Sequence, residues 1–217
     1  MGVVTAEWLK QKLDAKQSDI VVLDVTWYSN KDAAQDFLQK HIPGAQYFNI
    51  MHDVEISDLF PRNLPDPESF QRQVRSIGVN SNSHVVVYDN TPFCGYFVGA
   101  RAWWMFKLHG HDRLSILDGA LKSWEDHGYP VTSDTYKSEL GNFSVQMNLS
   151  LLRRHDDMVE NLKSKHYQVC DTRPESDYKG QSTAATLCGA TDVAVYLGGF
   201  TEWSTKAGDG LIEQGPA

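Results

Sequence analysis

Two short runs constrain this chain more than any other feature: Ile20 to Val25 (IVVLDV) and His84 to Asp89 (HVVVYD). Both are continuously apolar and β-branched rather than alternating, the pattern of a strand covered on both faces. The sequence around them alternates between helix and strand signals. Trp8, Leu9 and Leu13 mark a helix that Thr5 caps. Ala45 to Ile50 reads as a second strand, entered through the turn His41-Ile42-Pro43-Gly44. Asp66-Pro67 opens a helix with Phe70, Val74 and Ile77 on one face, and Gly78 ends it. A helix from about Gly99 to His109, stopped by Gly110, a short strand at Ser115 to Leu117 and a helix at Ala120 to His127 complete the series. Strands separated by helices and short loops predict an α/β fold, a parallel sheet with helices on both faces.

Residues 131–150 break that rhythm and are polar, with Gly141 near the middle. They read as an interdomain linker, with an edge hairpin as the alternative. A helix at Asp156 to Leu162 and a strand at Tyr167 to Asp171 follow. A weak internal repeat links the two halves. Asp24 and Asp171 each end a predicted strand. Ser115-Ile116-Leu117-Asp118-Gly119 with Trp124 resembles Ala194-Val195-Tyr196-Leu197-Gly198 with Trp203. Between the matching landmarks, Asp24 to Gly119 against Asp171 to Gly198, the second copy is far shorter. The expected organisation is an intact domain over 1–130, a linker over 131–150 and a truncated second domain over 151–217. Missing central strands leave that second domain loosely packed or dependent on the first.

Composition narrows the function. Of 217 residues, 20 are Lys or Arg and 28 are Asp or Glu, a net charge of −8 that argues against a nucleic-acid partner. No apolar run is long enough to span a bilayer. The first residues, MGVVTAEWLK, resemble neither a secretory signal nor a transit peptide, and Ala6 stands where a myristoylation site needs Ser or Thr. The three cysteines, Cys94, Cys170 and Cys188, form no close pair and no metal-spaced set. An odd, sparse count fits a reducing compartment, so an intracellular protein without metal or cofactor is expected.

Three phrases carry a resemblance: HIPGAQYFNI (His41 to Ile50), RAWWMFKLHGHDRLSILDGALKSW (Arg101 to Trp124) and YQVCDTRPESDYKG (Tyr167 to Gly180). Together and in order they resemble the two-domain rhodanese family, the thiosulfate and 3-mercaptopyruvate sulfurtransferases. The likeness runs over residues 1–180 and resumes at about Ser182 to Trp203. It implies tandem rhodanese-like α/β domains, the second carrying the nucleophile. It also implies transfer of sulfane sulfur from a small anionic donor, through a cysteine persulfide, to cyanide or a thiol. Such a relay needs a thiolate and converging backbone N–H groups at a helix start. Family members place that Cys after the fourth strand of the second domain, in a segment beginning Cys-Gly. Here Gln181 runs directly into Ser182-Thr183-Ala184-Ala185-Thr186-Leu187-Cys188, and Cys188 matches a non-catalytic position. The resemblance therefore implies a missing nucleophile loop, as in a shortened splice variant or gene model, and an inactive chain. The alternative function is a non-catalytic binding or regulatory module that pairs with a full-length relative. The choice between cytoplasm and mitochondrion stays open.

In the first domain the position equivalent to the nucleophile is Asp89, which cannot carry sulfur. Cys94, in the loop NTPFCGYFVGA before a helix, is the remaining candidate thiol, against the plainer reading of a buried apolar side chain. Six residues separate it from Arg101, out of register for a Cys-x5-Arg phosphatase loop. The resemblance gives Arg173 and Lys179 to the anionic substrate, with a solvated surface role favoured for Lys179. It gives Glu55 the place of an acid that assists in the mercaptopyruvate enzymes. Arg62 stands where those enzymes have a His. His109-Gly110-His111 reads as a helix end rather than a metal site, and Trp103, Trp104 and Phe106 as packing residues. The glycosylation sequons at Asn142 and Asn148 carry no meaning in an intracellular chain.

Overall fold

The computed structural model describes residues 2–57, 63–91 and 97–170 and the backbone of 195–196. The chain divides into two compact units, Met1–Asp53 with Pro65–Met147, and Val54–Leu64 with Asn148–Ala217.

In the first unit the elements run β1 (Val3–Val4), α1 (Ala6–Asp14), β2 (Ile20–Asp24), α2 (Ala33–Gln39), β3 (Gln46–Tyr47), α3 (Pro67–Ser76), β4 (His84–Tyr88), α4 (Phe97–Leu108), β5 (Leu114–Leu117) and α5 (Ala120–Asp126). The strands form one parallel sheet in the order β1-β5-β4-β2-β3. The two runs that open the sequence argument are neighbours, with Val22 opposite Val86 and Asp24 opposite Tyr88. Val85, Val86, Val87 and Tyr88 are fully buried, as a strand covered on both faces requires. Each such side chain contributes roughly 1.5–3 kcal/mol of transfer free energy.

The predicted boundaries follow the chemistry that sets them. Thr5 accepts a hydrogen bond from Trp8 N at 3.2 Å at the start of α1. Thr5→Ala is expected to lower stability by about 1 kcal/mol in urea unfolding, the usual value of an N-cap. Asp66 accepts from Glu68 N and Ser69 N, both at 3.0 Å, and Pro67 takes the first helical position of α3. Trp104 and Phe106 are buried, whereas Trp103 is half-buried beneath the Lys107 ammonium. The strand expected at Ala45 to Ile50 is paired only at Gln46–Tyr47. Sequence reasoning missed α2 and β1.

Residues 131–147, the segment expected to link the domains, lie along the first unit as an extended strap. Thr132 pairs with His41 through two 2.9 Å backbone bonds. Further on, Gly141 N donates to Arg75 O at 2.8 Å and Phe143 N to Val79 O at 3.2 Å. A Cβ at Gly141 would stand 2.0 Å from Val79 O, so only glycine permits this approach.

In the second unit, β6 (Leu152–Arg153) pairs in parallel with β7 (Val195–Tyr196), and α6 spans His155–Ser164. The strand expected at Tyr167 to Asp171 is not formed over its described residues. The Asn161 side chain instead accepts from Tyr167 N at 2.7 Å and donates to Tyr167 O at 3.0 Å, closing a turn after α6. Among the described residues 148–170, only Asn161 is buried.

Candidate functional site

Open parallel sheets present ligands at the carboxyl ends of their strands. At that edge of the first unit stand two buried carboxylates, Asp24 at the end of β2 and Asp89 just beyond β4. Each opens the same local turn. Asp24 Oδ1 accepts from Thr26 N at 2.9 Å and from the Thr26 hydroxyl. Asp89 Oδ1 accepts from Thr91 N at 3.0 Å and from the Thr91 hydroxyl. The shared spacing, Asp-x-Thr after each buried strand, is a sequence signal that the motif analysis passed over. The Thr26 hydroxyl also accepts from Asn90 N at 2.9 Å, joining the two turns.

The second oxygen of Asp89 accepts from Val98 N at 3.1 Å and from Gly99 N at 2.8 Å, in the first turn of α4. Backbone N–H groups converging from a helix start are the donor set that holds an anion. Here the chain supplies the anion itself. Four donors converge on this carboxylate, and it has no sulfur to lend. Burial pushes the Asp24 carboxyl above its ordinary value, its Thr26 bonds work against that rise, and the Asp89 charge adds to it. Burial likewise holds the Tyr88 phenol well above its ordinary value.

The neighbouring groove, about 410 Å³, lies between β3 and α3 and is lined by Tyr47, Asn49, His52, Arg72, Gln73, Ser76 and Ile77. Tyr47 donates its hydroxyl to Thr26 O at 3.1 Å, and burial pushes its pKa up to about 12. It is a neutral structural phenol.

Cys94, Arg62, Arg173, Lys179 and Cys188 lie outside the described residues. Glu55 is exposed and belongs to the Val54–Leu64 segment of the second unit. Cys170 is an exposed thiol in the second unit. His109 and His111 are buried at the end of α4 as packing residues, and no group of three metal-binding side chains occurs among the described residues. No described helix is long and apolar enough to cross a membrane.

The parallel sheet in the order β1-β5-β4-β2-β3, flanked by helices, makes the first unit an α/β domain. Residues 5–127 match the family model described as the rhodanese-like domain, and the chain belongs to that family. It is 35% identical over 183 residues to thiosulfate sulfurtransferase of Bos taurus, covering 82% of this chain and 61% of that protein. Identity to 3-mercaptopyruvate sulfurtransferase of Mus musculus is 34% over 184 residues, covering 82% and 62%. The crystal structure of SseA, a 3-mercaptopyruvate sulfotransferase from Escherichia coli, superposes with a TM-score of 0.74 at 29% identity, covering 82% of this chain and 68% of that one. The chain thus spans less than two thirds of these curated relatives, about one rhodanese domain and part of another.

Proposed function

We propose that this chain, a sulfurtransferase-family protein by homology, does not itself turn over thiosulfate or 3-mercaptopyruvate. The family reaction needs a thiolate that attacks the outer sulfur of thiosulfate. The S–S bond breaks, sulfite leaves, and a cysteine persulfide forms that cyanide converts to thiocyanate. The reading rests above all on the junction of Gln181 with Ser182, where no Cys-Gly segment of the kind that carries the family's nucleophile in the second domain intervenes. At the end of β4, where amides converge, the occupant is the Asp89 carboxylate, already bonded to four donors. The first domain therefore offers no substitute for the thiol that the second domain lacks at that junction.

Purified 217-residue protein, given thiosulfate and cyanide, is expected to release no thiocyanate above the uncatalysed rate. Release that saturates with thiosulfate and scales with protein would overturn the proposal. Arg173 and Lys179 would then be the groups that hold the anionic donor, with Glu55 as an assisting acid and Cys94 as the thiol to test first.

The second reading, a binding or regulatory module, has its own support. Leu149, Leu162, Tyr167 and Val169 of the second unit are 47–65% exposed, an apolar set that a full-length relative would cover. Co-elution of the two proteins, with no thiocyanate release by this chain alone, is the result that favours it.

A further inference from the structure

We propose that the strap over residues 131–147 is an acid-sensitive latch, closed on two buried histidines, His109 and His111, and released when they take up protons. At its centre Phe143, 1% exposed, enters an aromatic cage. It meets Phe70 edge-on at 6.0 Å and His111 at 5.7 Å. Phe70 stacks on His109 at 3.9 Å, and Phe106 completes the cage against His111. Hydrogen bonds fasten both flanks. Arg75 Nε donates to Phe143 O at 2.6 Å, Val145 N to Gln71 Oε1 at 2.9 Å and Gln146 N to His109 O at 3.0 Å. The histidines therefore lie under the strap and partly hold it.

The hydrogen bonding of His109 fits only the uncharged ring. His109 Nδ1 stands 2.6 Å from Met105 O, a contact that requires Nδ1 to carry the hydrogen. Its Nε2 is then a bare lone pair, and that atom is buried without a partner. Protonation would place an N–H there with no acceptor, inside a cage of rings. His111 Nε2 is buried without a partner in the same way. Burial lowers the proton affinity of both rings. No carboxylate offsets this at His109, where only the Met105 carbonyl favours the charged form. At His111 the carbonyls of Ser83 and Arg113 and the Asp112 carboxylate favour the charged form, and the Arg113 guanidinium opposes it. From α3 the charged group is Arg75, whose guanidinium is bonded to Phe143 O. The face of Phe70 offers His109 some cation–π attraction but no acceptor for Nε2.

The direction of the pH effect follows. The closed strap binds fewer protons than the open one, so its hold is complete above the ordinary imidazole value of roughly 6.5 and weakens as pH falls through it. Release frees the segment that leads into the second unit.

Amide hydrogen exchange on the full chain, corrected for the intrinsic rate, tests this between about pH 7.5 and about pH 5.5, either side of the free imidazole value. Protection at Gly141, Phe143 and Gln146 is expected to fall several-fold, up to a ceiling of about 10-fold for each histidine over this range, while Val22 and Val86 keep theirs. In His109→Asn/His111→Asn, which retains a side-chain donor at each position but cannot titrate, protection becomes independent of pH. Should that variant not fold, NMR titration of the wild-type imidazoles serves instead. Midpoints below 6.5, shared with the strap amides, support the latch. Strap protection that is flat with pH, loss shared equally by the sheet, full loss in the variant, or midpoints at or above 6.5 would each overturn it.

Discussion

Asp89→Ala is expected to lower the stability of the first unit by about 3 kcal/mol, since each buried donor left without an acceptor costs roughly 1–3 kcal/mol. Three of the four stranded donors are backbone N–H groups, Thr91, Val98 and Gly99, and two of those open α4. Water entering the vacated space recovers part of the loss, which keeps the figure below the sum. Asp89→Asn, which keeps one acceptor oxygen, is expected to cost about half as much. Urea unfolding followed by tryptophan fluorescence reads both. A change below about 0.5 kcal/mol for the alanine variant would mean that the carboxylate does not hold the cradle together.

Phe143→Ala carries the largest expected effect, about 3–5 kcal/mol, the usual cost of removing a buried phenyl ring. The ring is fully enclosed and belongs to a strap with few other apolar anchors, so its loss opens the strap as well as leaving a cavity. Faster tryptic cleavage after Lys137, within the strap, is therefore expected at neutral pH, where the histidines are uncharged. Phe143→Leu fills much of the space and is expected to cost less than about 1.5 kcal/mol. If the alanine variant unfolds in urea like wild type and its strap stays resistant, the strap is held by its backbone bonds alone.

What the sequence disclosed follows from where each signal is stored. The central strands were legible because burial on both faces writes itself as an unbroken β-branched run. Asp66-Pro67 was legible because a cap is a local interaction. β1 has two residues, too few for any period, and exists only because Val3 and Val4 pair with Ile116 and Leu117. α2 buries only Ala33 and Phe37, so its apolar face is too thin to read. The strap looks like a polar linker because its hold is mostly backbone bonding plus one ring. Only Gly141, with its 2.0 Å approach to Val79 O, betrayed a constraint. Tyr167 to Cys170 has the composition of a strand, yet the Asn161 amide took both backbone groups of Tyr167. At the site, the absence of sulfur from Asp89 was plain in the sequence. The donors around it were not, because Val98 and Gly99 reach Asp89 only once α4 packs on the sheet.

Intact-mass spectrometry after incubation with thiosulfate, and separately with 3-mercaptopyruvate, tests the central claim most directly. The polypeptide is expected to keep its mass, because no Cys-Gly loop follows Gln181 and the first-domain cradle is filled by the Asp89 carboxylate. A stoichiometric gain of one sulfur atom, mapped to Cys94, Cys170 or Cys188 and discharged by cyanide, would contradict it.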